Sequence, residues 1–140
     1  MKYQSDLSQI PSCPPRDCTR EMRDSYRFVF DPLDQNSFLP QGKKDPQRVN
    51  KEEDNKKKCS LLGLSMFESE NDACAHYKRL KKFIKNIDKT IGSHLAKGKI
   101  KPQHGCITKP NKNGHFDLFE SAGVDLTLNF QVMYELSEKI

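Results

Sequence analysis

A chain of 140 residues with a net charge of +5, 31% charged residues and 34% hydrophobic ones suits one small domain under a heavily charged surface. No stretch approaches the ~18 apolar residues that suggest a membrane span. The opening MKYQSDLSQIPSCPPRDC lacks the apolar core of a secretory signal, so a soluble, cytoplasmic protein is expected. Its five cysteines, an odd number, are then expected as free thiols rather than as a disulfide framework.

In chain order, residues 1–24 read as an irregular N-terminal arm with one helical turn near Arg16–Asp24, ahead of a single domain over 25–140. YRFVF, Tyr26–Phe30, is aromatic and β-branched and is closed by Asp31-Pro32, which predicts a strand. Phe38-Leu39-Pro40 reads as a second, weaker extended piece. Residues 42–58 hold one apolar side chain, Val49, in seventeen and predict a long, mobile, exposed loop. CSLLGLSMF, Cys59–Phe67, reads as a buried strand, with Gly63 marking a bulge or a close backbone approach.

Ser69 is a good N-cap, and Glu70 and Asp72 suit the first turn of a helix. Ala73, Tyr77, Leu80, Ile84 and Ile87 follow at alternating steps of four and three, the stripe of an amphipathic helix. Ile91 and Leu95 extend the stripe, so a second helix over 87–97, begun at Asn86 and ended by Gly98, is expected. Cys106-Ile107-Thr108 and HFDLF, His115–Phe119, predict a hairpin across the turn-forming Pro110-Asn111-Lys112-Asn113-Gly114. Asp125 suits the cap of one helical turn, and Phe130–Leu136 alternates as a closing strand. The order predicts an α+β domain: a small, mainly antiparallel sheet with two helices packed on one face.

Charge is segregated. Residues 76–112 carry eleven Lys or Arg against one acid, Asp88, and the segments on either side are acidic. Lys78, Arg79, Lys81, Lys82 and Lys85 line the first helix and its end, and Lys109 and Lys112 on the hairpin extend the basic surface. The leading expectation is a small basic accessory or regulatory protein that engages a larger protein partner or nucleic acid through this face. A lysine-rich helix face is also the ordinary form of a solvated one. No cofactor, metal or membrane association is expected, and the sequence leaves the oligomeric state open.

Two enzymatic alternatives exist. His104 and His115 flank the hairpin; two imidazoles beside lysines suit metal-independent acid–base cleavage of RNA. The strand–helix–helix–three-strand order of residues 60–136 is similar to that of some small bacterial toxin ribonucleases, a likeness of element order without a shared motif. Arg27, Ser65 and Glu135, each on an expected strand, resemble the arginine, serine and glutamate of ADP-ribosyltransferases, which would imply NAD as substrate. Here the usual serine–threonine–serine element is replaced by LSMFES. Cys13 with Cys18, or His104 with Cys106 and His115, are chemically suited to a metal, but the second close pair of a zinc finger is missing.

Overall fold

A computed structural model describes residues 1–139. The final residue of the domain expected over 25–140 lies outside them. The elements are α1 (Gln4–Leu7), β1 (Arg23–Val29), α2 (Gln41–Lys44), α3 (Pro46–Lys51), α4 (Asn55–Ser60), β2 (Leu64–Phe67), α5 (Glu70–Leu80), α6 (Ile87–Thr90), β3 (His94–Ile100), β4 (Gly105–Ile107), β5 (His115–Glu120), β6 (Phe130–Glu135) and α7 (Leu136–Lys139). Short 3-10 turns lie at Gln35–Phe38, Pro102–His104 and Leu126–Leu128. The six strands form one sheet in the order β4-β5-β2-β1-β3-β6, and each neighbouring pair is antiparallel.

The mixed α+β class and the antiparallel sheet follow the sequence expectation; the layering differs. Strand side chains alternate between faces, so Phe28 and Val29 enter different cores. On one face Phe28, Phe67 and Leu95 pack with Ala73 and Tyr77 of α5 and Ile87 of α6. The same face continues into a cluster of Leu7, Ile10, Cys59, Leu62, Cys106 and Phe119, covered by α1 and α4. The other face buries Val29, Leu64, Met66, Ala96, Phe116 and Leu118 under Phe38 and Leu126 of the 3-10 turns. Two helices on one face is therefore too simple: among the described residues α1, α4, α5, α6 and the first residue of α7 all contribute to one face, and irregular segments close the other.

Helix α5 starts where its sequence says it should. The Ser69 hydroxyl accepts from Asp72 N–H at 3.1 Å and donates to the Asp72 carboxylate at 2.8 Å. The second helix stops after one turn. Instead of continuing to residue 97, the chain turns at Gly92, whose φ is +157° and whose Cα lies against the Phe28 backbone, and enters β3. β3 pairs along seven residues of β1 on one side and with β6 on the other, and this two-sided ladder outweighs a helical stripe. Leu95 still meets Ile87, in the same core cluster.

Two further expectations are corrected. Residues 42–58 remain largely exposed but fold into α2, α3 and most of α4, with Asp45 and Asp54 accepting from the first-turn N–H groups of Gln47 and Lys56. The strand expected over 59–67 is accordingly shorter, because Cys59 and Ser60 end α4. Four cysteines are not free thiols: Cys13 pairs with Cys59 and Cys18 with Cys106. Cys74 stays outside the bridges. Together with the Lys2–Glu120 ion pair at 2.9 Å, the bridges fasten the first 18 residues to the sheet and α4. The helical turn there is at Gln4–Leu7 rather than near Arg16–Asp24, and Phe38 sits in a 3-10 turn rather than an extended piece.

Candidate functional site

β2 and β5 pair in a register that sets Ser65 opposite Asp117 and Phe67 opposite His115. All four side chains occupy the helix-covered face. Gly63 permits the close packing that β2 needs here: a Cβ on it would press against the Asp117 Cβ and the Phe119 ring. α5 then lowers His76 onto the same place, and the end of α4 brings Ser60.

The result is a compact polar cluster on an aromatic base. Buried Phe67 lies 5.0 Å from the His76 ring and 5.4 Å, edge-on, from the His115 ring. The two imidazoles stack with centroids 6.4 Å apart and planes inclined by 26°. His115 Nε2 is in hydrogen-bond contact with the Ser65 hydroxyl and lies 3.8 Å from Asp117 Oδ1. Ser60 donates to the other Asp117 oxygen at 2.8 Å.

The surroundings disfavour charge on these groups. Burial lowers the His115 pKa below its ordinary 6.5. Burial also lowers that of His76, reinforced by Arg79 and by His115. Burial pushes the Asp117 carboxyl up to about 6, against the Ser60 hydrogen bond that favours the ionised form. At neutral pH both rings are neutral, and the tautomer of His115 sets which partner donates in its contact with the Ser65 hydroxyl.

A cleft of about 230 Å³ opens beside the cluster, lined among others by Arg27, Arg48, Ser60, Ser65, Phe67 and His76. Arg27 enters it from within the sheet. β1 and β2 share one residue pair, Tyr26 with Phe67, and then part. The guanidinium fills the gap, donating to the Ser37 carbonyl at 2.9 Å and the Ser65 carbonyl at 2.7 Å. Burial pulls it down to about 10, which leaves it charged at neutral pH. A larger cavity, about 630 Å³, lies between Pro11, Pro15 and α4, but no histidine lines it.

The residues singled out from the sequence are dispersed. His104 lies at the open end of the β4–β5 hairpin and His115 at its turn end, five residues of β5 apart, or about 17 Å at strand rise. His104 is buried, and its Nδ1 accepts from Lys101 N–H at 2.9 Å. Arg27 and Ser65 are neighbours, whereas Glu135 is on β6, two strands across from β1, with an exposed carboxylate that accepts from Ser137. Cys106, Cys13 and Cys18 are committed to disulfides, and among the described residues no group of three or more His, Cys, Asp or Glu is placed to hold a metal. Lys78, Arg79, Lys81, Lys82 and Lys85 are all exposed, at the end of α5 and in the turns after it, and Lys109 and Lys112 are exposed on the hairpin loop.

His76, Asp117, Ser60 and Arg48 are site residues that the sequence reading missed. The one available signal was helical phase: His76 adjoins Tyr77 on the buried stripe, so its side chain borders the core rather than facing bulk solvent.

No family model matches this chain, and neither the curated proteins nor the solved structures yield a match. Among the described residues no helix is long and apolar enough to cross a membrane.

Proposed function

We propose that the His76–His115 cluster beside the cleft is an acid–base site for metal-independent cleavage of RNA, with His115 as base and His76 as acid. The observation that supports this reading is the pairing of two part-buried imidazoles on Phe67, beside a hydroxyl and a cleft lined by Arg27 and Arg48. His115 Nε2 already faces a hydroxyl, that of Ser65, and a substrate 2′-hydroxyl would take its place. His115 removes the 2′ proton, O2′ attacks phosphorus, the P–O5′ bond breaks, and protonated His76 gives its proton to O5′. The products are a 2′,3′-cyclic phosphate and a 5′-hydroxyl. The arginines suit the charge on the phosphate oxygens.

A serine-nucleophile reading is weaker. Asp117 approaches the same ring nitrogen that meets Ser65, whereas a triad carboxylate holds the opposite nitrogen. Ser65 also lies within a strand rather than at a strand-to-helix elbow. The two disulfides favour an oxidising compartment over the cytoplasm.

Because both histidines are held below 6.5, the fraction with one ring neutral and the other protonated peaks on the acid side of that value. The test is cleavage of labelled single-stranded RNA in a chelator from about pH 5 to about pH 8, across the histidine range. A cyclic-phosphate product, an optimum below 6.5 and its loss in both His115→Ala and His76→Ala are expected. A folded preparation that leaves RNA intact throughout would refute the reading.

A second reading, a basic binding protein without chemistry, is favoured by the exposed bases around the end of α5. Salt-dependent RNA affinity with no cleavage would select it, and binding to a protein partner but not to RNA would redirect it.

A further inference from the structure

Phe83 is 84% exposed. It sits in the turn that follows α5, and that turn is anchored: Phe83 N–H and Ile84 N–H both donate to the Leu80 carbonyl, while Leu80, Ile84 and Ile87 pack into the core. The segment thus places its other apolar side chains inside and leaves one aromatic ring in water. Lys81, Lys82 and Lys85 flank it, all exposed, with Lys78, Arg79 and Lys89 on the neighbouring turns. The other large exposed apolar side chains have no such run of bases beside them in the chain: Met22 stands between Glu21 and Arg23, Leu128 follows Asp125, and Met133, 39% exposed, stands between Val132 and Tyr134.

The same turn borders the cleft, because Leu80 and Ile91 line it together with His76. From His76 to Phe83 is seven residues of mostly helical backbone, roughly 10 Å of rise. A ring flanked by cations at that distance matches an unpaired base between two phosphates: the base stacks on the ring and the phosphates meet the lysines. A duplex presents phosphates but keeps its base faces stacked, so Phe83 offers it nothing.

We propose that the Phe83 knob is a platform for single-stranded nucleic acid. It extends the cleft: Phe83 stacks on an unpaired base, and Lys81, Lys82 and Lys85 hold the adjoining phosphates. This builds on the acid–base reading of the cleft, and it makes the substrate a single strand.

The test uses the intact protein and a fluorescent 2′-O-methyl single strand, which lacks the free 2′-hydroxyl and is not cleaved. Binding that weakens with salt is expected, with Phe83→Ala lowering affinity about tenfold or more and Phe83→Trp preserving it. A duplex of the same sequence should bind more weakly and equally in both proteins. Equal single-strand affinity in the Phe83→Ala variant overturns the platform, as does Phe83-dependent binding to anionic lipid vesicles without Phe83-dependent binding to the strand. Phe83-dependent binding in a protein that leaves ordinary RNA uncut supports the platform while refuting the acid–base chemistry. Cleavage that persists without Phe83-dependent binding refutes the platform alone.

Discussion

The β4–β5 hairpin has a histidine near each end, in opposite circumstances. At the open end His104 is 7% exposed and tied to backbone: its Nδ1 takes the Lys101 N–H, and its main-chain carbonyl takes the Ser121 N–H at 2.9 Å. At the turn end His115 meets Phe67 edge-on and stacks with His76, and its Nε2 contacts the hydroxyl of Ser65, a residue that lines the cleft. Burial holds both below their ordinary value. A displaced pKa therefore does not separate a structural histidine from a reactive one. What separates them is the partner of the ring nitrogen: backbone for His104, and for His115 the hydroxyl of Ser65, which itself lines the cleft.

Four measurements can break or sharpen this comparison. The largest effect concerns catalysis. Replacing His115 by Ala should lower RNA cleavage by about 10²–10⁴-fold, the usual worth of a general base. His104→Ala should stay close to the parent rate once corrected for folded fraction. Equal losses in the two variants would erase the distinction.

Next comes the Cys18–Cys106 bridge, which ties the open end of the hairpin to the N-terminal segment across 88 residues of sequence. The Cys18→Ala, Cys106→Ala protein should lose about 2–5 kcal/mol in denaturant unfolding. A cost under about 1 kcal/mol would mean that the core holds that end unaided.

Asp117 gives a smaller effect with a definite sign. Its carboxyl ionises near 3.8 when unfolded and at about 6 in the fold, so the folded protein holds the extra proton between those values. The protein is favoured by this group below 3.8 and loses that favour as pH rises through 6. Asp117→Asn should therefore be the more stable protein at pH 8, by at most about 3 kcal/mol, and gain little at pH 4. Melting curves at the two pH values decide it, and a gain of equal size at both would refute burial as the cause.

The smallest effect belongs to His104→Gln. His104 protonates more readily unfolded than folded, so it weakens the protein as pH falls through 6.5. The variant should flatten that acid-side loss while costing about 1–3 kcal/mol at neutral pH for the orphaned Lys101 N–H. An unchanged pH slope would show that His104 titrates alike in both states.

Much of the fold was legible where local chemistry and burial agree. Ser69 with Asp72 begins α5 as read, and the Asn-Gly turn joins two paired strands, with Gly114 at φ +76°. Phe116 and Leu118 enter one core and Phe119 another, as a period of two requires. Less of the candidate site could be read. Its parts come from β2, β5, α4 and α5, and nothing in 65, 76, 115 and 117 as spacings says that these residues meet. The disulfides were hidden for the same reason, since their partners are 46 and 88 residues apart.

The sequence by itself determined the class of the domain, its most regular helix, its hairpin and a basic segment between acidic ones, because caps, turns and periodicity act over a few residues. Tertiary structure alone decided that residues 94–100 are a central strand, that the N-terminal segment is bridged to the sheet, and that His115 meets His76 rather than His104. Those outcomes depend on long-range pairing and on which side chains a core excludes from water, and neither is encoded within a single turn or strand.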